Sequence, residues 1–187
     1  MTKRLFDIAL AVTALTFLLI PLCVLMVLVR VSSTGPALYW SARVGQHGKI
    51  FYMPKLRTMV VSTPEMPTHQ LSDPDKYITP IGRFLRVSSL DELPQLFSVF
   101  MGDMSFVGPR PMIPKYEELV EQRRRAGVES LRPGITGWAQ VNGRDNISTQ
   151  QKLDFDIEYL RRCSLLFDVY IIFRTVLYVF LAKGVKH

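Results

Sequence analysis

The sequence predicts a mainly α-helical protein with a minor β component, anchored at its N-terminus by a proline-interrupted apolar segment that is either a re-entrant helix-break-helix or a kinked spanning helix. Three observations carry that prediction. Residues 8–29 form an uncharged apolar run interrupted by a single proline, Pro21. Apolar residues recur at helical spacing further on, as in Leu153, Ile157 and Leu160. Between residues 31 and 59 the pattern changes to short extended segments broken by Gly45 and Gly48. The expected organisation is a membrane-inserted hairpin over residues 1–34 and a small cytosolic, membrane-associated domain over residues 35–187 with interfacial amphipathic helices, together one functional unit. With 48% hydrophobic and 21% charged residues in 187, the chain is neither disordered nor low-complexity. Two cysteines, Cys23 and Cys163, exclude a disulfide framework and suit a reducing compartment. His47, His69 and His187 are scattered without cysteine partners, which argues against zinc.

The apolar run has 22 residues. An unbroken helix of that length reaches roughly 33 Å, enough to span the hydrocarbon of a bilayer. Pro21 removes the hydrogen bond to the carbonyl of Phe17, leaving arms of residues 8–20 and 22–29. At about 1.5 Å per residue neither arm crosses alone. A hairpin that dips in and returns agrees with basic flanks at both ends, Lys3-Arg4 and Arg30. A kinked but spanning helix fits the same pattern. A cleaved signal peptide fits poorly, because the run is long and no small-x-small site follows it.

Past Gly35-Pro36, which ends the membrane element, come the extended segments, then an exposed loop over residues 62–76. A helix is expected from about Ser89–Asp91 to Met101, another over Pro114–Ala126 with Pro114 in its first turn, and a third over Thr149–Arg162. Residues 165–182 are apolar but contain Asp168 and Arg174. Each would cost about 2.5–3.5 kcal/mol at mid-membrane, so an interfacial or core helix is expected there, with Tyr170, Tyr178 and Lys183 at headgroup level.

The formal charge of +7 is concentrated in residues 1–64, which carry seven basic side chains against one acidic, Asp7. Such a surplus calls for an anionic partner. The richest chemistry lies in Ser88-Ser89-Leu90-Asp91-Glu92-Leu93-Pro94-Gln95. Ser89 and Glu92 have capping-box spacing, so the acidic pair has a purely structural reading as a helix start. The functional reading draws on the cations around it: Arg110 between Pro109 and Pro111, with Lys55, Arg57, Arg83, Arg86 and Arg144. Guanidinium forks match phosphate oxygens, and paired carboxylates suit Mg²⁺ bridged to substrate phosphates.

Long stretches of the chain resemble the monotopic phosphoglycosyl transferases, or bacterial sugar transferases. The resemblance rests on Lys3-Arg4-Leu5-Phe6-Asp7, Arg43-Val44-Gly45, Lys55-Leu56-Arg57-Thr58-Met59, and the run from Thr79 to Arg86. It continues through Ser89 to Leu96, Gly102 to Pro111, and Arg132 to Arg144. It implies transfer of a sugar 1-phosphate from a UDP-sugar to polyprenyl (undecaprenyl) phosphate at the cytoplasmic face of the bacterial inner membrane, starting glycoconjugate assembly. It implies Asp91 as nucleophile, Glu92 beside it, Mg²⁺ held by Asp91 and Glu92, and substrate phosphates bound by cations such as Lys55, Arg57, Arg86, Arg110 and Arg144. It also implies a membrane hairpin turning at Pro21. Two departures stand out. Many members have Ser before that proline where this chain has Ile20, and Gln where this chain has Ser41.

Asp168, a carboxylate in an apolar stretch, is a further candidate for the active site. Trp138 reads as packing rather than a uridine platform, and Asp145 as a turn residue. A non-catalytic membrane adaptor with a basic lipid- or partner-binding surface is the rival reading; it leaves the acidic pair without a task. Nucleic-acid binding is not expected, since no RRM, KH or helix-turn-helix signature is present. The sequence selects neither the sugar nor a monomer over a homodimer.

Overall fold

A computed structural model describes residues 2–64, 73–143 and 146–180. Its first element, α1 (Thr2–Ser32), is a 31-residue helix with Pro21 inside it. Leu, Ala and Val dominate, and the hydroxyls of Thr13 and Thr16 donate back to the carbonyls of Ala9 and Val12 at 2.8 and 2.9 Å, leaving no polar side chain unsatisfied in the run. The break expected at Pro21 does not divide the element; residues on both sides stay helical. The helix is long and apolar enough to cross a membrane by length and composition, with a mean hydropathy of 2.8 over its best window.

One stripe of α1 is covered by the rest of the chain. Asp7, Ala11, Leu22 and Val29 are its buried residues, and their spacings of four, eleven and seven fall on one face of a helix. Phe17, Ile20, Val27 and Val31 lie outside the stripe, each more than 60% exposed. That covered stripe runs nearly the full length of the helix.

The extended segments form a ribbon of β1 (Leu38–Val44) and β2 (Ile50–Leu56), antiparallel, with Gly45 and Gly48 in the connection as expected. Cross-strand pairs share a face, so Arg43 opposite Phe51, Ser41 opposite Met53 and Tyr39 opposite Lys55 line one side. Then come α2 (Gly82–Val87), α3 (Gln95–Met101), β3 (Ser105–Val107), α4 (Glu117–Arg125), β4 (Gly134–Thr136), α5 (Trp138–Val141), α6 (Thr149–Arg162) and α7 (Leu165–Phe180). Strands β3 and β4 pair in parallel, Ser105 with Gly134 and Val107 with Thr136. A Cβ on Gly134 would stand 2.1 Å from the nitrogen of Gly108, so only glycine lets these two backbones meet.

Helix α6 has the bounds expected of it and starts on a capping box, Ser148 with Gln151. Its buried side is rotated, though, with Leu153, Asp156 and Tyr159 innermost. Helix α4 begins three residues after Pro114, outside the expected first turn. Helix α7 is amphipathic, burying Phe167, Asp168 and Ile171 while exposing Leu166, Val169 and Phe173.

Among the described residues three apolar clusters hold the fold together, and two of them include α1. Ala11 packs with Phe51, Met53, Val99 and Met104; Leu22 and Val29 pack with Leu56 and Leu85. The third joins Val107, Val141, Tyr159, Phe167 and Ile171. At about 1.5–3 kcal/mol per fully buried side chain, Leu22, Val29, Leu56 and Leu85 alone contribute on the order of 10 kcal/mol, comparable to the whole net stability of a domain. The boundary expected near residue 34 therefore passes through shared cores.

Candidate active site

The acidic pair sits on a turn of its own. Ser89 takes the left-handed conformation, φ 56° and ψ 17°, and its side chain caps nothing. A non-glycine residue there costs on the order of 1–2 kcal/mol. The capping box that Ser89 and Glu92 spell is thus not formed, and the single helix expected through Met101 is replaced by a 3-10 turn, Leu90–Glu92, followed by α3. Leu90 and Leu93, flanking the acids, pack against the cluster of Leu22 and Val29. Helix α1 thereby fixes the position of Asp91 and Glu92.

Side chains from three further elements converge on this turn. Lys55 of β2 donates to Glu92 Oε1 at 2.7 Å, and Arg110, from the loop after β3, donates to the same oxygen at 3.2 Å. Burial works to raise the Glu92 carboxyl, but Arg110 and Lys55 outweigh it and hold the group far below the usual carboxylate range. Asp91 is different. It is only 9% exposed, and among the described residues no other side chain donates a hydrogen bond to it. Burial pushes its carboxyl up despite the opposing fields of Lys55 and Arg86. Arg86 is held beside it by donating from Nε to Thr58 Oγ1 at 2.8 Å.

Arg110 is positioned through its backbone. Arg123 donates to its carbonyl at 2.8 Å and is itself paired with the buried Asp156. Arg43 of β1 donates to the next carbonyl, Pro111, at 3.2 Å. Arg43 was not among the expected phosphate ligands, yet it shares the ribbon face with Lys55 and feels both Arg110 and Glu92.

Other expected site residues lie elsewhere. Arg57 is 6% exposed and donates to the carbonyls of Ser33 and Thr34 and to Ser33 Oγ, closing the end of α1. Strand β2 stops at Leu56, which frees Arg57 to turn toward that end. Asp168 is paired with Lys3 and accepts from Tyr159 Oη at 2.6 Å, so its partners lie at the base of α1 and in α6. Arg144 and Asp145 fall outside the described residues, as does Lys183. Trp138 packs among Phe155, Phe167 and Tyr170 and donates to Glu158, which is the packing role expected of it.

Lys3 and Arg4 carry more than the membrane-flank charge read from the sequence. Lys3 donates to the Val107 carbonyl, and Arg4 to the carbonyls of Val99 and Phe100 at the end of α3. Asp7 accepts from Ser105 Oγ and the Phe106 amide. One turn of α1 thus holds both the helix that follows Glu92 and the strand that leads to Arg110. The i, i+4 spacing of Lys3 and Asp7 was the available signal.

Asp91 and Glu92 are oxygen donors of the kind Mg²⁺ takes. No group of three or more acidic, histidine or cysteine side chains gathers among the described residues, and Glu92 Oε1 is already shared by two cations. The donor set fits Mg²⁺ on condition that substrate phosphates and water complete the coordination.

A cavity of about 900 Å³ adjoins the acidic turn. Neither acid lines it; Arg43 and Arg110 form the wall nearest them.

Residues 1–182 match the family described as bacterial sugar transferase. The chain belongs to that family. Among its sugar transferase relatives is the UDP-glucose:undecaprenyl-phosphate glucose-1-phosphate transferase of Escherichia coli, 39% identical over 97% of this chain and 41% of the relative. The undecaprenyl-phosphate galactose phosphotransferase of Salmonella typhimurium is 37% identical, again over 97% of this chain and 41% of its own length. The chain therefore spans about two fifths of these proteins. A sugar transferase of Bacillus subtilis, EpsL, is 38% identical over 98% of this chain and 90% of its own.

Proposed function

We propose that this protein transfers a sugar 1-phosphate from a UDP-sugar to polyprenyl phosphate, giving polyprenyl-diphosphate-sugar and UMP, as the first step in building a glycoconjugate. The observation that carries the reading is the Asp91–Glu92 turn: one buried carboxylate with no side-chain donor, beside a second that is paired with two cations. The names of the Escherichia coli and Salmonella relatives supply the substrate classes.

An Asp91 oxygen attacks the sugar-bearing phosphorus, the bridging oxygen leaves with its electron pair on UMP, and an aspartyl-phosphosugar remains. An oxygen of polyprenyl phosphate then attacks the same phosphorus, the bond to Asp91 breaks, and the carboxylate returns. Burial strips water from Asp91 and raises its basicity, while Lys55 and Arg86 oppose that rise and favour the ionised form. Lys55 and Arg110 face the incoming phosphates and offset the repulsion between anionic nucleophile and anionic donor. Mg²⁺ bound by Asp91, Glu92 and the diphosphate would supply further neutralisation of developing charge.

The lipid acceptor requires the site to sit at headgroup level. Support for a monotopic, cytoplasmic-face placement comes from α1, whose first turn contacts α3 and β3 while its last turns contact β2 and α2. A compact domain occupies one side of a bilayer, and a helix covered by it at both ends is in keeping with entry and return on that side. The decisive experiment incubates the full chain with UDP-sugars and a short polyprenyl phosphate. UMP release that needs Mg²⁺ and is lost on chelation is expected, with a phosphosugar on the Asp91 peptide in trapped protein. Full product formation by Asp91→Asn would overturn the mechanism.

A further inference from the structure

The cavity beside the acidic turn has no role in the chemistry at Asp91 itself. It holds about 900 Å³, within the range of small-molecule sites, and its walls come from β1, the loop after Arg110, α4, α5 and α6. Arg110, which reaches Glu92, lines it with Arg43, Lys115, Tyr116 and Lys152, and the acids Glu117 and Glu118 line it too. Helix α4, one of those walls, has no buried residue and is largely charged, so the cavity is walled on that side by a water-facing helix.

Arg43 is the second observation. Among the described residues no carboxylate forms an ion pair with it; it donates to the Ser41 hydroxyl and the Pro111 carbonyl. Burial, and next the positive charge of Arg110, disfavour its ionised form. Two guanidiniums held close at the mouth of a cavity are relieved by an anion that both can grip, and a phosphate monoester matches their forks.

We propose that this cavity is the subsite for the nucleoside monophosphate half of the donor, with Arg43 and Arg110 gripping its phosphate and the nucleoside lying toward Tyr116 and Lys152. The assignment rests on the transferase reading. It follows that Arg43 serves both half-reactions. In-line displacement at one phosphorus places the leaving phosphate opposite Asp91, and the acceptor phosphate must then approach from that same side. UMP and polyprenyl phosphate therefore compete for one phosphate position.

The test measures equilibrium binding of UMP and of uridine to full-length Asp91→Asn protein in lipid nanodiscs, where the covalent step is blocked. Arg43→Ala in that background should weaken UMP about tenfold or more and leave uridine nearly unchanged, with the melting temperature maintained. Because Arg43 also braces Pro111, Lys152→Glu on the far wall provides a second reading and should weaken both ligands. UMP affinity unmoved by Lys152→Glu and by any folded Arg43 variant overturns the inference. In the active protein, UMP inhibition that is not competitive with polyprenyl phosphate overturns the shared position. If UMP binding responds as expected yet no UDP-sugar yields UMP, the transferase reading fails and the nucleotide site stands; normal turnover with no response in binding has the opposite meaning.

Discussion

Asp91 and Asp168 are both buried carboxylates, 9% and 1% exposed, and they do opposite things. Asp168 is closed off by Lys3 on one carboxylate oxygen and by the Tyr159 hydroxyl on the other, so both oxygens are engaged. Asp91 has cations nearby and, among the described residues, no side-chain donor in contact. In an apolar sequence the two acids look alike. A buried acid with its partner attached is architecture, whereas one that keeps its desolvation unrelieved until something arrives is equipped to react.

The comparison breaks most sharply at Asp91. Replacing it with asparagine should lower turnover about a thousandfold or more and abolish the covalent adduct, assayed by UMP release and peptide mass spectrometry. Asp168→Asn should leave the adduct intact in folded protein. Next in size is Lys55→Met, expected to cost about a hundredfold in turnover. Lys55 is the largest influence holding the Asp91 carboxyl down, so the acidic limb of the pH–rate profile should also move to higher pH.

Asp168→Ala should lower stability by about 2–3 kcal/mol, read from the unfolding transition, because Lys3 and Tyr159 both lose their acceptor and Lys3 is partly solvated. The smallest effect concerns Asp91 and stability. Its raised folded value makes the ionised form a cost that is complete above that value and is relieved as pH falls from it toward the ordinary aspartate value. Asp91→Asn should therefore melt slightly above the parent at pH 7, with the gap closing on acidification. Glu92, held low, acts in the opposite sense: its contribution is complete above the ordinary glutamate value and is lost below it.

Much of this was legible in the sequence. Helix α6 announces itself by apolar spacing, and the β1–β2 ribbon by its glycines. The acidic pair and Arg110 stand out through their neighbours. What local pattern could not give was the partner of each charge. Ser89 followed by Glu92 spells a cap, but the left-handed turn at Ser89 and the packing of Leu90 and Leu93 on α1 override it. Lys55 and Arg57 look equivalent two residues apart until the strand ends between them. Arg43 was recoverable once the ribbon was drawn, because a cross-strand register puts it on the face of Lys55.

The covered stripe on α1 also bears on how this protein can be handled. Ala11, Leu22 and Val29 are mortar between pieces that would otherwise meet water, so a truncated version beginning after Ser32 is expected to precipitate. Any water-soluble redesign must first repaint Leu56, Leu85, Val99 and Met104.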